Sequence, residues 1–239
     1  MKIICIIQAR MGSSRLPGKV LIEIKEKPLL EHIVDFLRHS QYTNEIVIAT
    51  TNLKEDDVIG ELAKKIQIPC FRGSTENVLE RFYNCAKFFK SDLIVRITGD
   101  NPLIDPGIVD NVIKKCIDNK SEYASNMINQ TYPLGYLAEA MSFKLLENLH
   151  ENQKDPMSRE HIIWDIRTNP HKYNISEISA PEKMIRPKWR LSVDYEEDLE
   201  LVKIIFNKLY TPNQFIPYTK VYHLLEKNPK LLEINKMWS

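Results

Sequence analysis

Twelve residues near the amino end, Gln8-Ala9-Arg10-Met11-Gly12-Ser13-Ser14-Arg15-Leu16-Pro17-Gly18-Lys19, hold three cations, two hydroxyls and two glycines. Arginine forks grip two oxygens at once, and a lysine acts as a point charge. The glycines allow backbone angles that turn successive N–H groups toward one oxygen-rich ligand. A cluster this dense suits a polyanion such as a nucleoside triphosphate. It is not a Walker loop, because the spacing from Gly12 to Gly18 is wrong and Val20 follows the lysine. The G-x-G-x-x-G dinucleotide fingerprint is also absent, which weighs against a dehydrogenase.

The elements that must position this cluster are legible in the hydrophobic pattern. Residues 3–7 form an isoleucine-rich run typical of a strand buried on both faces, and the cationic segment follows it directly. Residues 45–50, 69–72 and 92–98 read as further strands. Residues 28–39, 54–66, 76–89 and 106–118 read as amphipathic helices, the last with Asp105 as its cap. This alternation predicts an α/β fold with a mostly parallel central sheet and helices on both faces. Ligands sit beyond the carboxyl ends of such strands. The loops at 8–19, 50–52 and 98–102 fall there. In the second half, 123–125, 135–140 and 173–178 read as shorter strands. Residues 143–151, 158–168, 196–210 and 218–226 read as helices. With no repeat, low-complexity tract or linker, the reading is one domain over 1–239. Residues 1–122 form its nucleotide-binding half, and 123–239 a smaller acceptor-side half that completes the sheet.

Composition narrows the class. The 239 residues carry 33 Lys plus Arg and 32 Asp plus Glu, a net charge of +1. That balance argues against a general nucleic-acid binder. No apolar run approaches the ~20 residues that span a bilayer, so neither nucleic acid nor membrane is an expected partner. The short apolar amino end lacks a signal-peptide pattern, and the expectation is a cytoplasmic protein. Cys5, Cys70, Cys85 and Cys116 are scattered with no C-x-x-C pair. They read as reduced, buried thiols rather than a zinc site.

Three further segments carry chemistry: Arg96-Ile97-Thr98-Gly99-Asp100-Asn101-Pro102-Leu103-Ile104-Asp105, Ser158-Arg159-Glu160-His161, and Arg190-Leu191-Ser192-Val193-Asp194-Tyr195 running into Glu196-Glu197-Asp198-Leu199. With residues 8–19 they form an ordered set over nearly the whole chain. This set resembles the CMP-sugar-acid synthetases, and among them the branch named after spore-coat polysaccharide biosynthesis protein F. The resemblance implies a Rossmann-like, GT-A nucleotidyltransferase fold, CTP as donor, and a homodimer formed through the second half. It assigns Asp100 and Asp194 to Mg²⁺. A carboxylate at a strand end can hold that ion against a nucleotide phosphate. Turn capping competes for Asp100, and helix capping for Asp194, read here as the end of a later strand. Asp105 is read as a cap and Asp198 as a solvated charge. Arg10, Arg15 and Lys19, with Asp100, are the expected catalytic set.

The nucleotide should meet Gln8, Ala9, Gly12 and Ser13, the loops at Thr51, Arg72, Gly73 and Ser74, and Asn77. Thr98 would face the ribose or base. Asn77 and Arg81 read equally well as helix-surface polarity. The stretch Tyr132-Pro133-Leu134-Gly135-Tyr136, with Glu139, resembles the segment that enters the acceptor pocket in relatives. Leu134 and Leu137 stand where the family usually shows aspartates, so the acceptor differs. Arg159 would bind an acid or phosphate on the acceptor and His161 would serve as a base; a structural Arg–Glu contact beside a buried histidine is the competing reading. The expected reaction is CMP transfer from CTP to a hydroxylated sugar acid or a phosphate- or phosphonate-bearing acceptor, in cell-surface glycan synthesis. A UTP- or GTP-dependent nucleotidyltransferase, a GT-A glycosyltransferase and a non-catalytic nucleotide binder are the alternatives. The D-x-D motif of the glycosyltransferases is absent from Asp100-Asn101-Pro102.

Overall fold

The computed structural model describes residues 1–238. In chain order, β1 is Ile3–Gln8, β2 Glu23–Ile24, β3 Lys27–Pro28, α1 Leu29–Leu37, β4 Glu45–Thr51, α2 Asp57–Lys65, β5 Cys70–Gly73, α3 Val78–Phe88, β6 Leu93–Thr98 and α4 Pro106–Asp118. The second half adds β7 (Tyr123–Ser125), β8 (Glu139–Ser142), α5 (Phe143–Asn152), α6 (Pro156–Glu160), α7 (Trp164–Thr168), β9 (Ile175–Glu177), α8 (Glu196–Leu209) and α9 (Tyr218–Lys227).

Seven strands make one sheet in the order β5-β4-β1-β6-β8-β7-β9, and β2 pairs with β3 in a separate ribbon. The strands β4, β1, β5 and β6 run parallel, whereas β8 is antiparallel to both β6 and β7. Both halves of the chain therefore contribute to the same mostly parallel sheet. Alternation along β1 divides the core between the two faces. Ile3, Cys5 and Ile7 pack on the side of α1, α4 and α8, while Ile4 and Ile6 pack on the side of α3 and α5. Parallel register brings Gln8 beside Ala49 and Thr98, at one edge with Thr51 and Gly73. That edge is where the first-half loops converge. No helix among the described residues is long and apolar enough to cross a membrane.

Three expected elements differ. The strand expected at 135–140 starts only at Glu139, because Gly135 adopts φ +107°. The stretch after it is held by a side chain instead: Asn126 Nδ2 donates to the Tyr136 carbonyl, and Asn126 Oδ1 accepts from Ala138 N, both at 2.9 Å. The helix expected at 158–168 is two short ones. It begins at Pro156 because Asp155 caps Ser158 N at 2.9 Å, and it breaks at His161 (φ −112°, ψ 91°). Asp194 does not end a strand. Its segment is held by one parallel bridge, Leu134–Arg190, and by Val193 N donating to the Asp100 carbonyl at 2.8 Å.

Candidate active site

The cationic loop is tied down from below. Buried Asp56 accepts from Met11 N at 2.7 Å and, through its other oxygen, from the Thr51 hydroxyl. Ser13 N and Gly18 N both donate to the Met11 carbonyl, at 2.8 and 3.0 Å. Gly18 has φ +69°, a left-handed conformation that favours glycine. These bonds fold the loop over the end of β1 and leave the N–H groups of Gly12, Ser14 and Arg15 without a partner among the described residues. Such unpaired donors beside cations are a ready anion cradle. Arg10 is exposed and forms no ion pair among the described residues, whereas Lys19 is buried.

Lys19 is the hub of the site. Its Nζ donates to Asp100 Oδ2 at 3.1 Å, Asp194 Oδ1 at 2.8 Å and the Val193 carbonyl at 2.8 Å. The two aspartates, 94 positions apart in sequence, thus face one ammonium. Arg15 Nη2 reaches Asp194 Oδ1 at 2.6 Å, and Arg190 Nη2 reaches Asp194 Oδ2 at 2.5 Å. Burial raises the Asp194 carboxyl, but Lys19, Arg15 and Arg190 outweigh it and hold the group below its ordinary range. Thr98 Oγ1 orients Asp100 through Oδ1 at 2.5 Å, and Asn101 Nδ2 in turn donates to Thr98 at 2.9 Å.

Behind Asp194 stands a residue that the sequence reading placed in solvent. Asp198 is 1% exposed. It accepts Arg190 Nε on both oxygens (3.0 and 3.1 Å), Asp194 N (3.0 Å), Tyr195 N (3.1 Å) and Asn235 Nδ2 (2.8 Å). It fixes the position of Asp194 through both its backbone and its arginine partner. The available signal was position: an acid in the first turn of α8 is well placed to accept orphan backbone N–H groups. Asp105, by contrast, is the expected cap. It accepts Gly107 N at 2.8 Å and, with its other oxygen, Tyr218 N at 2.8 Å, so it also fixes the start of α9.

Two clefts meet at this centre. One, of about 290 Å³, is lined by Gln8, Ala9, Arg10, Gly12, Ser13, Ser14, Arg15, Lys19, Thr98, Asp100 and Asp194, with Val20 and Gly99. The second, of about 210 Å³, is lined by Arg96, Asn101, Met127, Leu134, Gly135, Leu137, Glu139 and Ser192. Both share Thr98, Asp100 and Asp194. A polyphosphate-sized polar cleft and a mixed cleft therefore open onto the same two carboxylates.

The remaining expected residues sit elsewhere. Arg72 binds the Thr51 and Leu53 carbonyls at 2.9 and 2.8 Å and pairs with Asp57. Asn77 caps α3 by accepting Glu80 N at 3.0 Å, and Ser74 Oγ accepts Asn77 N at 3.0 Å. Gly73 lies against Arg81, where an added Cβ would come within 2.9 Å of its Cγ. Thr51, Arg72, Gly73, Ser74 and Asn77 thus build the ends of β4 and β5, outside the lining of either cleft. Arg81 is no surface residue: it is 1% exposed, donates Nη1 to the Ser74 carbonyl at 2.6 Å, and leaves Nε and Nη2 unpaired. Burial and the neighbouring Arg10 push its guanidinium down to about 10. Tyr132 is buried against Tyr218, and its place in the second cleft is taken by its neighbours Leu134 and Gly135. Arg159 and His161 also fall outside both clefts. Arg159 reaches back to His150, donating to its carbonyl at 3.1 Å, and His161 is exposed rather than buried.

A nucleotide-sized cleft at the carboxyl ends of parallel strands, walled by cations and closed by two acids, defines a nucleotide-handling α/β enzyme. Comparison with known proteins makes this specific: residues 4–221 match the cytidylyltransferase family, and the chain belongs to it. It is thus a CTP-dependent nucleotidyltransferase. The chain is 37% identical over 235 residues to an uncharacterised protein of Methanocaldococcus jannaschii, covering 98% of this chain and 95% of that one. It is 35% identical over 232 residues to the spore coat polysaccharide biosynthesis protein SpsF of Bacillus subtilis, covering 95% of each. Among solved structures, a cytidylyltransferase from Leptospira borgpetersenii superposes with a TM-score of 0.92 at 33% identity over 97% of both chains.

Proposed function

We propose that the enzyme transfers CMP from CTP to a hydroxyl of a small acidic acceptor, a sugar acid or a phosphate- or phosphonate-bearing molecule, in the assembly of a cell-surface polysaccharide. The observation that carries this is the meeting of the two clefts at Thr98, Asp100 and Asp194. One cleft has the cations for a triphosphate and the other has room for an acceptor. The name of the Bacillus subtilis relative supports the polysaccharide setting.

In this reading the triphosphate lies against Arg10, Arg15, Lys19 and the unpaired N–H groups of Gly12, Ser14 and Arg15. The acceptor hydroxyl oxygen forms a bond to the α-phosphorus as the bond to the bridging oxygen breaks; its proton passes to solvent and pyrophosphate leaves. Arg15 and Lys19 are the groups placed to stabilise its charge. The donor set also fits a divalent ion. Two carboxylates face one point, and Mg²⁺ in nucleotide sites takes one or two carboxylates plus phosphate oxygens and water. Asp100 and Asp194 would hold it, and it would neutralise phosphate charge when bound. Before ligands enter, Lys19 keeps these two carboxylates paired rather than repelling each other.

The test is pyrophosphate release with CTP, UTP, GTP and ATP over acidic acceptors, with thermal shift as the binding readout. CTP with Mg²⁺ should raise the melting temperature and support release with an acid. Equal shifts for all four nucleotides, or release without any acceptor dependence, would overturn the reading.

A further inference from the structure

The residues that hold Arg15 at the first cleft include some from the far end of the chain. The Arg15–Asp194 pair joins a side chain that is 49% exposed to one that is 12% exposed. Such a pair is a weak anchor for a long, rotamer-rich side chain. A second anchor is the ring of Tyr195, whose centroid lies 5.2 Å from Arg15 Cζ and 5.5 Å from Arg190 Cζ. That ring is itself braced. Trp238 lies parallel to it, with centroids 3.7 Å apart and planes 6° from each other, and Trp238 Nε1 donates to Glu197 Oε2 at 3.2 Å. Three residues earlier Asn235 is buried, and its Nδ2 donates to the Arg190 carbonyl at 2.9 Å and to Asp198 Oδ1 at 2.8 Å. Leu231, Leu232 and Ile234 pack this stretch onto the core. Residues 235–238 thus back both members of the Arg15–Asp194 pair, Asn235 through Asp198 and Arg190, and Trp238 through Tyr195. The segment lies beyond α9 and beyond residue 221, where the family match ends.

A ring attracts a cation as a whole, whereas a carboxylate takes up particular N–H groups. Arg15 can therefore exchange Asp194 for phosphate oxygens without leaving Tyr195. A side chain held in this way loses less freedom when a ligand arrives, and the difference appears as affinity. We propose that residues 235–238 belong to the donor site, with Trp238 acting through Tyr195 to position Arg15 for the β- and γ-phosphates of the nucleotide. Trp238 is a positioning residue and touches no ligand itself. The proposal rests on the reading of the first cleft as the CTP site and adds to that site a segment outside its loops.

The test is titration calorimetry with CTP and CMP, the latter in competition with CTP where its own heat is small. It compares the wild type, Trp238→Ala, Trp238→Phe, Arg15→Ala and the Arg15→Ala/Trp238→Ala double variant. Trp238 is 37% exposed and Asn235 still anchors the segment, so Trp238→Ala keeps the fold. It should weaken CTP by roughly two- to five-fold, the range a cation–π contact at an exposed site supplies. CMP, which lacks the β- and γ-phosphates, should bind as it does to the wild type. Trp238→Phe keeps a ring on Tyr195 and gives up the bond to Glu197; it should bind CTP like the wild type. In the Arg15→Ala background, Trp238→Ala should weaken CTP no further, as expected when one residue acts through the other. Partial unfolding of a variant lowers the titrated stoichiometry rather than the affinity. Unchanged CTP affinity in Trp238→Ala, an equal loss for CTP and CMP, no rescue by phenylalanine, or additive losses in the double variant would each overturn the proposal. If the wild type itself does not bind CTP, the reading of the first cleft fails instead.

Discussion

Gly135→Ala is the sharpest probe of how the site is assembled. Gly135 has φ +107°, and an added Cβ would lie 2.6 Å from both the carbonyl carbon and oxygen of Leu191 and 2.9 Å from Ser192 N. These are backbone atoms, so no rotamer can relieve the contact. Ordinary contact begins at 3.4 Å, which requires a shift of roughly 0.8 Å. The segment that must move ends at Asp194 and is pinned to Leu134 and Asp100 by backbone bonds. Strain at a positive-φ position costs ~1–3 kcal/mol. At about 2–4 °C per kcal/mol for a chain of this size, the melting temperature should fall by roughly 2–12 °C. Turnover should fall further, because a 1 Å misplacement near reacting groups costs up to ~10²-fold. The control is Gly60→Ala in α2, where an added Cβ meets nothing within 4 Å; it should stabilise by up to ~1 kcal/mol. Melting curves and pyrophosphate-release assays on both variants read the outcome. A Gly135→Ala enzyme with wild-type melting temperature and turnover would refute the claim that this close approach sets the position of Asp194.

Four further outcomes follow from the same geometry. Asp100→Asn should cut turnover by roughly 10²-fold or more, since a pre-organised charge is worth ~3–4 kcal/mol in such sites; steady-state pyrophosphate release checks this, and near-normal turnover would remove Asp100 from the chemistry. Asp198→Ala should destabilise by ~3–5 kcal/mol by leaving Arg190 Nε and the Asp194 and Tyr195 N–H groups without the buried carboxylate they share, as urea unfolding would measure. Burial holds the His32 imidazole below its ordinary 6.5, so the unfolded chain takes up the proton first. Stability is therefore full above about 6.5 and is lost as pH falls through the lower native value; melting curves of His32→Phe should lack this component. Iodoacetamide applied to the native protein should label Cys70 ahead of Cys5, Cys85 and Cys116, which are buried with thiols pushed upward; mass spectrometry reads the order, and preferential labelling of Cys85 would contradict the packing.

The sequence disclosed what local periodicity governs. The strand at residues 3–8 is isoleucine-rich because both faces are covered, and Pro106 to Asp118 carries its own cap and first-turn proline. The residues lining the first cleft were legible for the same reason: Gln8 to Lys19 follow a strand whose carboxyl end opens onto that edge. Legibility failed where a side chain replaces a ladder. Asn126 satisfies the backbone of Tyr136 and Ala138, which hydrophobic alternation alone presents as strand. It failed again where polarity concealed burial. Asp198 and Arg81 both look solvated in a helical pattern, yet each is 1% exposed. Asp198's bonds to the N–H groups of Asp194 and Tyr195 follow from its place in the first turn of α8, but spacing does not name Arg190, Asn235 or, for Arg81, the Ser74 carbonyl, which lie outside the helices. Arg159 and His161 failed for the converse reason: an acid-binding motif by type is placed on α6 and at its end, and α6 packs against α3 rather than the clefts.

The placement of Lys19 ties these lessons to function. A buried ammonium is unfavourable alone, and two carboxylates facing each other are unfavourable alone. Together they form a satisfied cluster whose three members come from residues 19, 100 and 194. The cluster is stable only when the β1 loop, the end of β6 and the segment before α8 are all in register. The same interactions that complete the fold therefore assemble the charges that a triphosphate would meet. In the proposed reading, a nucleotide entering the first cleft would draw Lys19 and Arg15 from carboxylate toward phosphate, one anionic partner for another. Asp194 would keep Arg190 in that exchange, whereas Asp100 would lose Lys19, the one cation paired with it among the described residues, and so becomes the carboxylate most in need of a replacement cation.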